Sequence, residues 1–312
     1  MHARKRIAVL MGGPSAEHDV SLETGETVLR HLSRDRFRAF PVAVDYDGTW
    51  PIDMRSLRQN ADVAFVAMHG SYGEDGGIQA ALTTFGIPYT GSRPIPSAHA
   101  ARKPTSLTLL KNEGFPVPEF CVVHAADGNH PLPKHFTLPL FVKPANAGSS
   151  AGTGIVRDWN DLPEALQEAF RFSPDAIVQR YIFGKEVTCG ILEINGNPTP
   201  LMPTEIIPAK ELFHGPKSKR FMDGAWHLTP PRLSPAIIRR AQATALAAHT
   251  ALGCSGMSQT DMIVDREGAI HLLEVNTIPK LSGAAPFLQG AQELGIAPEQ
   301  VMEHIIASAH IA

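Results

Sequence analysis

The sequence predicts an α/β protein that opens on a parallel-sheet unit, and three observations carry that reading. Residues 7–11 form a continuous apolar run that ends in Gly12-Gly13-Pro14-Ser15 and leads into a helical pattern. Residues 63–68 form a second apolar run, followed by His69-Gly70, by Gly73-Glu74-Asp75-Gly76-Gly77 and by a helical pattern over 78–85. Units of strand, glycine turn and helix gather ligands at the carboxyl ends of their strands. Finally, residues 256–279 form two short apolar strands joined by Asp265-Arg266-Glu267-Gly268, a hairpin pattern.

Composition narrows the class. A chain of 312 residues predicts two domains, or a few subdomains around one cleft. A hydrophobic fraction of 43% with 19% charged residues describes a globular protein with ample core. The net charge of -3 gives no electrostatic case for nucleic acid or an anionic membrane surface. Cys121, Cys189 and Cys254 lie far apart without metal-ligand spacing, as expected of reduced thiols in a cytoplasmic protein. The basic N-terminus is interrupted by Gly-Gly-Pro and does not form a signal peptide, and no apolar run reaches membrane-spanning length.

In chain order, the first helix is expected over residues 21–32, with Ser21 as N-cap and Glu23 suiting the helix dipole; Gly25 within it is unfavourable. Residues 40–44 supply a further strand, and the Pro94/Pro96 region marks a boundary. Residues 97–112 are helical in pattern but interrupted at Pro104, which places Lys103 at a break between two pieces. Strands follow over 117–123 and 138–143, the second running into the loop Pro144-Ala145-Asn146-Ala147-Gly148-Ser149-Ser150-Ala151-Gly152. Such a loop offers N–H groups and hydroxyls to phosphate oxygens, and Lys143 at its start adds a point charge. A helix over 162–172 precedes strands over 177–182 and 187–192, and residues 200–207 are extended. Residues 208–232 lose all periodicity, the mark of a lid or binding loop. An Ala-rich helix over 235–252 leads to the hairpin, and helices over 287–294 and 298–309 end the chain.

The hairpin carries the chemistry. Glu274 and Asn276 are two apart and share one face of an extended strand, with Asp261 able to face them from the other strand. Two carboxylates and an amide suit Mg²⁺, which keeps waters and shares phosphate oxygens with a nucleotide.

Taken in order, Gly12-Gly13-Pro14-Ser15-Ala16-Glu17, His69-Gly70 with Gly73-Glu74-Asp75-Gly76, Val142-Lys143-Pro144 with Gly148-Ser149-Ser150, Gly184-Lys185-Glu186 and Leu273-Glu274-Val275-Asn276-Thr277 resemble the D-alanine–D-alanine ligases of the ATP-grasp superfamily. The resemblance implies an ATP-grasp fold in three parts: a substrate domain over 1–94, a central subdomain with the Gly/Ser loop over 95–183, and a C-terminal subdomain with metal site and mobile loop over 184–312. It implies an ATP- and Mg²⁺-dependent (or Mn²⁺-dependent) ligase that joins two D-alanines through an acyl phosphate in peptidoglycan precursor synthesis, as a homodimer. On that resemblance Lys103, Lys143, Gly148, Ser149, Ser150 and Lys219 meet the phosphates. Gln179, Ile182 and Leu273 meet the adenine, and Glu186 meets the ribose. Asp261, Glu274 and Asn276 hold the metal. Glu17, His69 and Ser149 serve the first D-alanine. Glu17, Ser149, Lys219, Gln259 and Lys280 form the catalytic set.

Five departures accompany the match, four of them on the acceptor side. Gln259 replaces the arginine two residues before the metal Asp, and removing such an oxyanion donor costs on the order of 3 kcal/mol in the barrier. Lys280 stands where a glycine N–H ordinarily serves the oxyanion, and can restore the missing positive charge. Gly283-Ala284-Ala285 occupies the place of the serine and leucine that receive the acceptor carboxylate. His214-Gly215-Pro216-Lys217-Ser218-Lys219-Arg220 replaces the tyrosine-rich mobile loop, with Arg220 at its closing tyrosine. On the nucleotide side, Gln179 replaces an acid but can still accept a hydrogen bond. Three readings therefore compete: a divergent D-alanine–D-alanine ligase, a relative that couples D-alanine or another small amino acid to a different amine, and an ATP-binding paralogue of weak activity.

Overall fold

The computed structural model describes residues 4–128, 132–146, 151–207 and 225–311. Within them, β1 (Lys5–Gly12), β2 (Phe37–Val44) and β3 (Val63–Val66) form a parallel sheet of order β2-β1-β3. The apolar run of β1 is buried from its third residue onward, as a strand covered on both faces requires. Helix α1 (His18–His31) packs on β1 and begins three residues before the expected start. Glu17 takes the N-cap position, and Ser21 lies inside the helix with its hydroxyl donating back to the Glu17 carbonyl at 3.0 Å. Gly25 has a packing reason: a Cβ there would lie 2.6 Å from the Met11 side chain, so only glycine lets α1 approach β1 this closely.

Helices α2 (Met54–Asn60) and α3 (Gly77–Thr84) complete the first unit. The Pro94/Pro96 stretch forms the first turn of α4 (Pro94–Ala101), since proline at the first helical positions loses no hydrogen bond. Helix α5 (Lys103–Asn112) follows after one extended residue, so the break falls at Arg102-Lys103 as Pro104 predicts.

Strands β4 (Phe120–His124), β5 (Leu140–Pro144), β6 (Gly154–Val156) and β7 (Asp175–Arg180) form an antiparallel sheet of order β4-β7-β5-β6. One face, carrying Leu140, Val142 and Val178, is buried with Leu166 and Ala169 of α6 (Leu162–Phe170). By strand alternation the opposite face carries Phe141, Lys143 and Gln179.

The third sheet is built on β8 (Gly184–Ile194), which joins the expected 187–192 strand to the Gly-Lys-Glu motif. It pairs with β10 (Thr204–Ile207) and β12 (Met257–Asp265), with β11 (Trp226–Leu228) and β13 (Ile270–Asn276) outside them and β9 (Asn197–Pro200) on β8. The expected extended segment over 200–207 is thus split between β9 and β10, and β11 lies inside the stretch expected to be irregular. Helix α7 (Pro235–Ala251) covers one face, burying Ala241 and Ala245 with Val187, Cys189, Met262 and Val264. Gln259, Asp261 and Ile263 alternate onto the other face, opposite Gly190, Thr188 and Glu186.

Helices α8 (Pro286–Gln292) and α9 (Pro298–Ala307) return to the N-terminal unit. Phe287, Val301 and Ile305 share one core with Ile7, Leu10 and Phe65. The first unit's core therefore draws on both ends of the chain.

One buried titratable group is purely structural. His249 is 2% exposed in α7, its Nδ1 2.7 Å from Ser258 Oγ, and burial pulls its pKa down to about 4. The unfolded chain, with an ordinary imidazole near 6.5, binds the proton more readily. Acidification from about pH 6.5 to about pH 4 should therefore remove up to about 3 kcal/mol of stability through this residue. Urea titrations across that window should show a shallower acid loss in His249→Gln, whereas parallel pH profiles would contradict the assignment.

Candidate active site

The hairpin positions the first set of groups. The Asp265 side chain accepts from the Glu267 and Ala269 N–H groups at 3.0 and 2.8 Å, fixing the turn. Register then places Asp261 opposite Glu274 and Gln259 opposite Asn276. A bulge between Asp261 and Met262 leaves Leu273 as the extra residue of β13. Without it, Leu272 and Glu274 would share a face. With it, Leu272 meets Met262 and is fully buried, while Glu274 stays beside Asp261. One irregularity thus satisfies both an apolar core and an acidic site.

The second set comes from the elbow between α4 and α5 and from the central sheet. Lys103 Nζ lies 2.8 Å from Glu274 Oε2, and Lys143 Nζ lies 3.9 Å from the same oxygen. Both lysines are less than a tenth exposed. The cluster bridges the two antiparallel sheets, with Lys143 on one and Glu274 and Asp261 on the other.

The charges are unequal. Burial and the neighbouring Glu274 push the Asp261 carboxyl up. Burial acts the same way on Glu274, but Lys103 and Lys143 outweigh it and hold that carboxyl low. Burial would lower Lys103, yet Glu274 holds its ammonium charged. For Lys143, burial dominates and, with repulsion from Lys103, brings it to about 8.

A divalent cation fits this set. Asp261 Oδ1 is buried and has no hydrogen-bond partner among the described residues, an orphaned acceptor that a cation would satisfy. Asn276 Oδ1 is oriented by the Ile278 N–H at 2.7 Å and retains a lone pair. Two carboxylates and an amide are the oxygen donors that Mg²⁺ chemistry favours.

Glu186 lies on the cleft face of β8. The residue is exposed while its carboxyl end is enclosed by the cleft; that enclosure first, then Asp261 and Glu274, push the carboxyl upward. Gln179 is buried in β7 between Phe120 and Phe141, and Ile182 is half-buried just past that strand. Gly148, Ser149, Ser150, Lys219 and Arg220 lie outside the described residues.

The opposite wall belongs to the first unit. Glu17 closes on Gly70, where a Cβ would sit 2.7 Å from Glu17 Oε2 and where φ is +74°. A side chain there would displace the carboxylate. Burial, then Glu74, raise the Glu17 carboxyl, against the pull of Lys103. His69 is 4% exposed, with Nδ1 3.3 Å from Glu74 Oε1 and Nε2 2.9 Å from Thr24 Oγ1. A cavity of about 290 Å³, lined in part by Gly70, Glu74, Arg102, Lys103, Glu274 and Asn276, joins this wall to the hairpin.

Three participants escaped sequence reasoning. Glu74 stood in a quoted motif, and only its distance to His69 gives it a role. Thr24 carries no local signal. Glu23 was read as a dipole acid, yet its Oε2 lies 3.4 Å from Lys280 Nζ, so the turn after β13 is tied to α1.

Comparison with known proteins gives the family. The family profile "D-ala D-ala ligase N-terminus" matches residues 6–61 and 51–92, and "D-ala D-ala ligase C-terminus" matches residues 109–307. The D-alanine–D-alanine ligase of Geobacter sulfurreducens is 39% identical over 98% of this chain and 94% of its own length. The chain belongs to the D-alanine–D-alanine ligase family. The family's ligase from an Anaeromyxobacter species is 40% identical over 98% of this chain and 97% of its own. Among solved structures, the VanG D-Ala:D-Ser ligase of Enterococcus faecalis superposes with a TM-score of 0.87 at 27% identity, covering 98% of this chain and 99% of its own. The Bacillus anthracis D-alanine–D-alanine ligase complexed with ATP gives 0.81 at 28%, covering 97% of each. The fold is accordingly the ATP-grasp fold, with a parallel-sheet domain followed by two antiparallel sheets.

The unequal charges predict opposite mutational effects. Asp261→Asn should stabilise the ligand-free protein by about 1–2 kcal/mol, because it removes an unfavourably held charge. Glu274→Gln should destabilise it by about 2–3 kcal/mol, leaving two buried lysines short of their counter-ion. Urea unfolding of both variants without ligands checks this, and shifts of the same sign would contradict it.

Proposed function

We propose that this protein is an ATP-dependent, ADP-forming ligase that joins two D-alanines in peptidoglycan precursor synthesis. The observation that carries the proposal is the Lys103–Glu274–Lys143 bridge beside Asp261, spanning the two sheets of a family fold matched from end to end.

The chemistry proceeds in two transfers. A donor carboxylate oxygen attacks the γ-phosphorus of ATP; the bond to the bridging oxygen breaks and ADP departs, leaving an acyl phosphate. The amine of the acceptor attacks the acyl carbon, the carbon–oxygen bond to phosphate breaks, and inorganic phosphate leaves while the amine's surplus proton passes to solvent. Lys103 and Lys143 hold the phosphates by charge, and their release from Glu274 is compensated by the incoming oxyanions. Asp261, Glu274 and Asn276 would hold Mg²⁺, which when bound neutralises charge on the transferring phosphoryl group. Glu186 receives the ribose hydroxyls; Gln179, Ile182 and Leu273 receive the adenine. Glu17 holds the donor ammonium with His69 and Glu74 behind it. On family grounds Gly148, Ser149, Ser150 and Lys219 cover the phosphates, and Ser149 steadies Glu17. Gln259 and Lys280 flank the acceptor side as amide and cation in place of a guanidinium and a backbone N–H.

We place the enzyme in the cytoplasm, where its ATP is made, and assign it a homodimer, as for the family. No helix among the described residues is long and apolar enough to cross a membrane. A second reading, transfer of D-alanine to another amine, rests on the acceptor edge: Gln259 in the arginine's place and Lys280 engaged by Glu23.

The test supplies ATP, Mg²⁺ and D-alanine alone, follows phosphate release and identifies the product by mass. D-alanyl-D-alanine in step with phosphate is expected. Phosphate release only when a different amine is added would transfer the assignment to the second reading. ATP binding without phosphate release under any amino acid pair would mark an inactive paralogue.

A further inference from the structure

A serine or threonine within a helix commonly returns its hydroxyl proton to the carbonyl four residues back. In α1, Ser21 and Thr27 do so, to Glu17 O and Glu23 O at 3.0 Å each. Thr24, fully buried between them in sequence, instead places Oγ1 2.9 Å from His69 Nε2.

The second ring nitrogen decides the direction of that bond. His69 Nδ1 faces Glu74 Oε1 at 3.3 Å, and an ionised carboxylate only accepts, so the proton belongs on Nδ1. In a neutral ring Nε2 is then the acceptor and the Thr24 hydroxyl the donor. The rest of His69 is equally constrained: its N–H donates to Ser21 Oγ at 2.8 Å, and its carbonyl accepts from Ser15 Oγ at 2.8 Å. The residue after it, Gly70, is the floor on which the Glu17 carboxylate rests. Three hydroxyls thus fix the backbone and the ring of one histidine directly behind the donor wall.

We propose that Thr24 is a positioning residue of the donor site: by donating to Nε2 it holds His69 as the Nδ1–H tautomer, so the ring donates to Glu74 and Glu17 is left for the donor's ammonium. Its role in donor binding rests on the ligase reading above; the tautomer does not.

The two are tested separately on the full-length protein. Nitrogen-15 spectra of the imidazoles near neutral pH, with His69→Gln identifying the resonance, should show a protonated Nδ1 and a bare Nε2 in the wild type. Thr24→Val should give mixed tautomers. In steady-state kinetics Thr24→Val should raise the KM for donor D-alanine about tenfold and leave the KM for ATP within about twofold, with Thr24→Ser restoring the donor KM. A doubly protonated ring or an Nε2–H tautomer in the wild type overturns the proposal, as does an unchanged donor KM in Thr24→Val. If the wild type turns over no D-alanine, the ligase reading fails and the tautomer alone decides the role of Thr24.

Discussion

The arrangement depends on one carboxylate shared between two buried ammonium groups. Glu274 Oε2 takes Lys103 at 2.8 Å and Lys143 at 3.9 Å, and these three residues come from a hairpin, a helix elbow and the central sheet. Without the carboxylate, two like charges would share a low-dielectric cleft. Without the lysines, Glu274 and Asp261 would repel across one hairpin rung. The cluster holds the two sheets in register while leaving Asp261 poorly satisfied. Such a site is stable enough to fold and short of positive charge where a nucleotide with its cation would supply it.

Much of this was legible in the sequence because period-2 alternation survives in the strands. Glu274 and Asn276 were placed on one face, with Asp261 able to face them, and the register agrees. Pro104 located the elbow that presents Lys103, because its ring and missing N–H end a helix that would run through it, so a new helix restarts beside it. The bulge at Leu273 was not legible. It is a compromise between packing under α7 and acidity above the sheet, and both terms are tertiary. The early start of α1 was missed for a similar reason. Ser21 is chemically a good N-cap, but its hydroxyl donates to Glu17 O and accepts from the His69 N–H, and the second contact exists only once the end of β3 lies beside the helix.

The two substrate sides differ in how tightly they are specified. On the side proposed for the donor, Gly70 sits against the Glu17 carboxylate, and Ser15, Ser21, Thr24 and Glu74 hold the backbone and ring of His69 beside it. On the side proposed for the acceptor, Gln259 presents an amide, and Lys280 is half exposed and engaged by Glu23 at 3.4 Å. An exposed ion pair contributes little stability and exchanges partners readily. Chemistry that must position a donor for in-line phosphoryl transfer demands the first kind of wall, whereas acceptor choice can drift through the second.

Binding of nucleotide phosphates by Asp261, Glu274 and Asn276 through a divalent cation is open to direct measurement. Calorimetric titration of the wild type and Asp261→Asn with a non-hydrolysable ATP analogue, with and without Mg²⁺, tests it most directly. Mg²⁺ should tighten binding at least about tenfold in the wild type, and most of this gain should be lost in the variant. Equal affinity with and without Mg²⁺ in the wild type would contradict it.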